Sequence, residues 1–76
     1  MQNEIKVNDK FIFHSSDGNN YKMVIYNINY YRPPSMTYAI LFYDEDGNYI
    51  EPHNGDDFFF IGENFFIKHE DKIERI

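Results

Sequence analysis

The chain has 76 residues, a formal net charge of −6 and no cysteine. This length is near the lower limit for a domain that folds without help, and the lack of cysteine excludes disulfides and thiolate metal sites. No apolar stretch approaches the roughly 20 residues that a membrane helix needs. We therefore expect one cytoplasmic domain, residues 1–76, with no membrane partner and a core built from its eight Phe and seven Tyr.

The pattern of the first half predicts three strands. Residues 10–14 form the first, and residues 15–20 are turn formers in which Asp17-Gly18 suits the positive φ angles of a hairpin turn. Residues 21–31 and 36–43 are rich in β-branched and aromatic residues and predict a central hairpin, broken at Pro33-Pro34 because proline cannot donate a ladder hydrogen bond. The period of two predicts one core-facing row on each arm: Val24, Tyr26, Ile28 and Tyr30, then Tyr38, Ile40 and Phe42.

The second half predicts shorter elements. Residues 44–48 form a further turn with Asp-Gly at its tip, residues 49–51 a short return strand, and residues 58–61 an apolar strand after a polar loop. Asn64 is a candidate N-cap for a helix of at most two turns. Residues 72–76 either extend this helix or form a closing strand. We favour a strand that pairs with an early one, because small sheets need their open edges covered.

Together these elements predict a mainly β fold. About five short strands at regular spacing, with a short helical turn before the C-terminal strand, resemble the SH3-like antiparallel barrels. The alternative is a curved antiparallel sheet with one C-terminal helix across it.

Charge is distributed unevenly along the chain. Residues 1–43 hold three acids and four bases, whereas residues 44–76 hold ten acids and three bases. From Asp44 to Glu63 there are seven acids and no base. This excess argues against a nucleic-acid phosphate partner and favours a basic protein partner, although acids that only keep the protein soluble would give the same pattern.

The sequence contains no recognisable catalytic or metal-binding motif. The three histidines lack a paired spacing, and Asp44-Glu45-Asp46-Gly47 matches only part of a calcium loop, because Phe42 and His53 would occupy its first and last positions. No serine lies in a nucleophile elbow, and carboxylates on turn tips are solvated. We expect a protein that is not an enzyme and needs no cofactor. Direct nucleic-acid binding is not expected either, since the seven bases form no cluster.

Two groups of residues are candidates for protein binding. The first is a tip that combines aromatic and cationic side chains of the kind enriched at interface hot spots: Tyr30, Tyr31 and Arg32. The alternative is that Tyr30 belongs to the core and Tyr31 shields a proline ring. The second group is an acidic arc that we expect to form one negative surface: Asp44, Glu45, Asp46, Glu51, Asp56, Asp57 and Glu63. Such a surface favours a partner with a basic surface, and a homo-oligomer built through apolar edges is the rival interpretation.

The composition and the ending of the chain carry a family resemblance. The chain is short, lacks cysteine, is rich in Asn, Ile, Lys, Tyr and Phe, and ends in Phe58-Phe-Phe-Ile61, residues 63–69 and residues 72–76. In these features it resembles small acidic proteins encoded by phages and prophages of low-GC bacteria, among them anti-CRISPR inhibitors. Many of those inhibitors bind a host nuclease and block its nucleic-acid groove. The resemblance implies an inhibitor of this type, and it assigns no role to any residue.

Overall fold

The computed structural model of the protein describes residues 4–52 and 57–76. These residues form six strands and one short α-helix. The strands are β1 (Lys10–His14), β2 (Asn20–Ile28), β3 (Tyr38–Tyr43), β4 (Tyr49–Ile50), β5 (Phe59–Ile61) and β6 (Ile73–Arg75), and the helix is α1 (Glu63–Lys68). Short 3-10 turns at Pro34–Met36 and Glu70–Lys72 precede β3 and β6. Within the described ranges, no helix has the length and apolar character needed to cross a membrane.

All strand pairs are antiparallel and belong to one sheet. The strand order is β4-β3-β2-β1-β6, and β5 pairs with the same edge of β3 as β4 does, further along the strand. The predicted mainly β class is confirmed, and so is the C-terminal strand, which follows a helical turn and pairs with β1.

The sheet is open, which matches the alternative architecture and not the closed SH3-like barrel. The edge strands are β4 and β5 on one side of the sheet and β6 on the other. Among the described residues β6 does not pair with β4 or β5, so the sheet does not close on itself. These edge strands are short, with two residues in β4 and three each in β5 and β6. The helix α1 instead covers one face of the sheet.

A β-bulge at Tyr26 changes which residues of β2 face the core. Ile25 pairs with Ile40 and Asn27 pairs with Ala39, so Tyr26 is an extra residue that shifts the alternation by one. Tyr26 is 53% exposed. The core-facing residues of β2 are therefore Met23, Ile25 and Ile28.

The predicted core row of β2 is wrong except at Ile28. The bulge explains Val24 and Tyr26, because it reverses the alternation, and Tyr30 lies in the loop beyond the end of β2 at Ile28. Val24 is only half-buried, on the face opposite the core, and Tyr30 is exposed. The predicted row of β3 is confirmed, since it belongs to the core or packs against it: Tyr38, Ile40 and Phe42.

The core lies between the sheet and α1. Phe66 of α1 is 1% exposed, and its ring centroid lies 5.2 Å from that of Phe11 and 5.6 Å from that of Tyr38. A helix of six residues is not stable by itself in water, so this packing is what keeps α1 helical. The largest fully buried side chains are Phe11, Phe66, Met23, Ile25 and Ile40.

The two hairpin turns, Ser15–Asn19 and Asp44–Asn48, have the same geometry. In each turn, the N–H of the first residue donates to the carbonyl of the fifth, at 2.9 and 3.0 Å, and the glycine N–H donates to the carbonyl of the first residue, at 3.1 and 3.0 Å. Gly18 has a φ of +90° and Gly47 a φ of +85°. These are three-residue hairpin loops closed by a left-handed glycine, as the Asp-Gly pairs predict, with the positive φ on the glycine alone.

Close backbone contact explains why the residue before α1, Gly62, is a glycine. The helix starts at Glu63 without a side-chain cap, so the prediction of Asn64 as the N-cap is wrong. A Cβ atom at Gly62 would overlap the carbonyl oxygen of Pro34 and come within 2.8 Å of the Cα of Ser35. Only glycine lets the start of α1 approach the β2–β3 loop this closely.

We predict that Gly62→Ala lowers the free energy of unfolding by about 1–3 kcal/mol, the usual cost of overpacking. The atoms in the way belong to the backbone and cannot rotate aside. Urea unfolding followed by circular dichroism measures the change. The control is Asn64→Ala, at an exposed site without a capping bond, which should change stability by less than about 0.5 kcal/mol. Equal stability of the Gly62 variant and the wild type would show that the contact is not tight.

Candidate interaction surfaces

The antiparallel topology places the connecting segments at two opposite ends of the sheet. The turn end carries the hairpin turns Ser15–Asn19 and Asp44–Asn48. The loop end carries residues 29–37, between β2 and β3, and the junction at Gly62 between β5 and α1. Because β3 has six residues, the two ends lie roughly 20 Å apart.

The residues of the predicted acidic arc are divided between the two ends. Asp44, Glu45 and Asp46 lie at the turn end. Glu51 and Asp57 flank the outer edge of β3, and Glu63 begins α1 at the loop end. Asp56 lies outside the described residues. Five of these carboxylates therefore lie between the turn end and the middle of the outer edge of β3, most densely at the turn end, and Glu63 lies apart from them at the loop end.

The two turns at the turn end are joined by a hydrogen bond. The backbone N–H of Asn20 donates to Oε1 of Glu45 at 2.7 Å. This arrangement brings Asp17 to the same end as the acids of the second turn, although the predicted arc omitted it. The sequence gives an indication that Asp17 belongs with these acids, because the same tripeptide, Asp-Gly-Asn, occurs in both turns, at 17–19 and at 46–48.

Backbone hydrogen bonds keep two carboxylates of the turn end ionised. Oδ1 of Asp44 accepts from the N–H groups of Asn48 and Asp46, each at 2.9 Å, and these bonds, led by that from Asn48, lower the pKa of Asp44. Oδ1 of Asp17 accepts from the N–H of Asn19 at 2.8 Å, which lowers the pKa of Asp17. Both groups therefore carry a full negative charge at neutral pH.

The carboxylates of the turn end have no cationic side chain bound to them. Within the described part of the chain, the ion pairs join Asp9 to Arg75 at 2.6 Å and Glu74 to His14 at 3.5 Å. His14 directly precedes the turn Ser15–Asn19, but none of the carboxylates on the two turns takes part in either pair. Lys22 lines the open depression beside the turns without forming an ion pair there. Across residues 4–52 and 57–76, no group of three or more His, Asp or Glu is placed to hold a metal ion.

At the loop end, Arg32 is folded back onto its own loop. Its Nε donates to the carbonyl of Met36 at 2.9 Å, and its Nη2 donates to Oδ1 of Asn27 and to the carbonyl of Thr37, both at 3.1 Å. The guanidinium carbon also lies 5.1 Å from the ring centroid of Phe60. Arg32 thus closes the loop that carries the two tyrosines.

Those tyrosines project into solvent. Tyr31 is fully exposed and Tyr30 is 73% exposed, so the interpretation that Tyr30 is a core residue and Tyr31 covers a proline ring is wrong. The backbone beneath them is fixed, because Oδ1 of Asn29 accepts from the N–H of Tyr31 at 2.9 Å and the Asn29 carbonyl accepts from the N–H of Arg32 at 3.2 Å. Rigid, exposed tyrosines are well suited to binding a partner.

Beside the tyrosines lies a cleft of about 220 Å³, which we name the loop-end cleft. The residues that line it come from the N-terminal segment, the central hairpin and α1: Glu4, Ile5, Tyr30, Tyr38, Glu63, Phe66 and Ile67. Tyr38 is only 6% exposed. Burial raises the pKa of its hydroxyl, and the neighbouring Tyr30 and Glu63 side chains raise it further. The Tyr38 hydroxyl is therefore neutral beside the Glu63 carboxylate.

Arg75 anchors the segment that carries Glu4. Its Nη2 donates to the Glu4 carbonyl at 3.2 Å, its Nη1 forms the ion pair with Asp9, and its guanidinium carbon lies 5.0 Å from the ring centroid of Phe11. Asp9 also accepts from the N–H of Lys6 at 2.8 Å, and this bond, followed by that from Arg75, lowers the pKa of Asp9.

The Asp9 contacts predict an acid-dependent part of the stability. Because the pKa of Asp9 in the folded protein lies below its ordinary value of 3.8, its contribution is present above that pH and is lost as pH falls through the lower, folded value. We expect Asp9→Asn to be less stable than the wild type at pH 7, and the difference to shrink as pH falls below 3.8 and to be smallest below the lowered pKa of Asp9, where the wild-type carboxyl is protonated too. Urea unfolding of both proteins across this pH range measures the difference in their free energies of unfolding. Asp71→Asn, at an exposed site, serves as the control, and a difference that does not depend on pH would contradict the assignment.

Comparison with known proteins gives no match: no family model, no curated protein and no solved structure matches the chain. The function is therefore inferred from the geometry of the two ends of the sheet.

Proposed function

We propose that the protein is a non-enzymatic interaction module that binds a basic surface of a partner protein through its turn end. The observation that supports this proposal is the grouping of four carboxylates on two joined turns, without an ion pair to a base among the described residues: Asp17, Asp44, Glu45 and Asp46. Surface acids that only confer solubility do not need to be gathered at one end of the sheet.

The turn end is ordered before a partner arrives. Each turn is closed by two backbone hydrogen bonds, and the bond from Asn20 to Glu45 joins the turns to each other. A preorganised surface loses little conformational entropy on binding, so more of the interaction energy remains as affinity. Uncompensated charge also accelerates association with a surface of opposite sign, and salt weakens this effect.

A groove that binds a nucleic-acid backbone is the partner surface that we favour. Glu51 and Asp57 continue the negative charge from the turn end along the outer edge of β3. A row of carboxylates from the turn end to the middle of this edge offers a basic groove a series of negative charges, as a phosphate backbone does. In this role the protein acts as an inhibitor of the phage type, by occupying the groove in place of nucleic acid.

Charge reversal at Asp46 tests the turn end. Asp46 is exposed and, among the described contacts, its carboxylate accepts no hydrogen bond, so Asp46→Lys changes charge without opening the turn, whereas reversal at Asp44 would remove the bonds that close it. We predict that Asp46→Lys weakens binding to poly-L-lysine severalfold at low salt and that the difference disappears at high salt.

The matched control is Glu74→Lys, which makes the same change in net charge at an exposed position in the middle of β6, the edge strand on the side of the sheet opposite β4. It should weaken binding to poly-L-lysine much less. Equal losses in the two variants would mean that only net charge matters, and the turn end would then have no special role.

A self-associating module is the second candidate, because the sheet face opposite α1 keeps apolar side chains uncovered. Tyr26 stacks on Phe58 with ring centroids 4.4 Å apart while remaining 53% exposed, and Val24 and Leu41 pair beside it, each half-buried. Under our proposal the protein stays monomeric in light scattering as its concentration is raised. A concentration-dependent dimer that Tyr26→Lys abolishes, with Tyr31→Lys as the control at a fully exposed site, would favour the second candidate.

A further inference from the structure

The loop-end cleft differs from the turn end in being concave and partly apolar. Ile5 and Phe66 are buried at 8% and 1% exposure, and Ile67 is 58% exposed. The ring of Tyr30 also lines the cleft, with most of its surface open to solvent. A ligand in the cleft therefore meets apolar side chains and the face or edge of an aromatic ring.

The charged groups of the cleft all have the same sign. Glu4 and Glu63 line it from different elements, and both are exposed. Among the residues that the structure describes, no Lys, Arg or His lines this cleft, and neither carboxylate forms an ion pair. Arg32 lines the adjoining depression beyond Tyr30 and Glu63, where its Nε and Nη2 donate to acceptors of the loop and of β2, and it forms no ion pair with Glu63. A cleft with one sign of charge concentrates the electrostatic potential.

We infer that the loop-end cleft binds one cationic side chain, a lysine or an arginine, of a partner protein. The alkyl stem packs mainly against the exposed side chain of Ile67, above a floor formed by Ile5 and Phe66, as the stems of long charged residues do on apolar surfaces. The charged head lies between Glu4 and Glu63, where charge-assisted hydrogen bonds form, and next to the ring of Tyr30, where a cation–π contact forms.

Other ligand classes fit the same cleft less well. An anion is repelled by the two carboxylates, and the neutral hydroxyl of Tyr38 is a single donor that does not offset them. A neutral alkyl group gains the apolar contacts and leaves the carboxylates without a counterion. The exposed rings of Tyr30 and Tyr31 at the mouth provide the additional contact area that a protein partner needs around one anchoring side chain.

This site goes beyond the proposed function, because it lies at the end of the sheet opposite the acidic turns. The turn end acts through the summed field of several charges, whereas the cleft recognises one side chain by shape as well as charge. Either site can therefore fail without the other.

The test is a titration of the full chain, followed by amide proton–nitrogen spectra. The probes are Nα-acetyl-lysine amide and Nα-acetyl-arginine amide, and the control probe is the Nε-acetylated lysine derivative, which keeps the stem and removes the charge. We expect saturable shifts at the amides of Tyr30, Glu63 and Ile67 with a Kd in the millimolar range, and binding of the neutral probe at least about tenfold weaker.

Two matched variants assign the effect to the cleft. Glu63→Gln is nearly isosteric at an exposed position and should weaken binding of the cationic probes about tenfold, whereas Glu51→Gln, with the same charge change outside the cleft, should not. Asp46→Lys should leave cleft binding intact, which separates this inference from the proposal for the turn end. Equal binding of charged and neutral probes, an unaffected Glu63→Gln variant, or shifts at the hairpin turns in place of the cleft would overturn the inference.

Discussion

The contact of Phe66 with Phe11 and Tyr38 is the interaction on which the rest of the structure depends. An open sheet of short strands must cover one face to exclude water, and a helix of six residues needs a surface to pack on. The sheet and α1 therefore stabilise each other through the buried ring of Phe66. Because Phe66 lies one helical turn after Glu63, the same ring also positions the Glu63 carboxylate at the loop end.

Features that depend on local chemistry could be predicted from the sequence, and features that depend on pairing could not. The Asp-Gly tips, the core row of β3 and the closing strand all follow from residues close together in the chain. The bulge at Tyr26 is a property of how β2 pairs with β3, so the period of two in the sequence cannot reveal it. The sequence predicted the short edge strands, but whether they pair with each other to close a barrel depends on contacts between distant parts of the chain, so the choice between barrel and open sheet stayed open.

The same distinction applies to the candidate sites. The sequence predicts how many carboxylates the second half carries, but the sheet decides that Asp44, Glu45 and Asp46 meet Asp17 at one end while Glu63 lies at the other. The cleft was not predictable, because Glu4 and Glu63 are 59 positions apart in the chain and meet only after α1 packs on the sheet. The exposure of Tyr30 and Tyr31 likewise follows from the loop that Arg32 closes.

The hairpin turns have a consequence for how such a protein changes over generations. Their closure depends on backbone bonds and on Gly18 and Gly47, whose surroundings are open, so a tip residue such as Asp46 contributes charge without contributing to the core. Under the proposed function, substitution at the tips adjusts the attraction for a basic partner one charge at a time while the fold is unchanged. Such a chain would follow a changing partner surface without loss of its architecture.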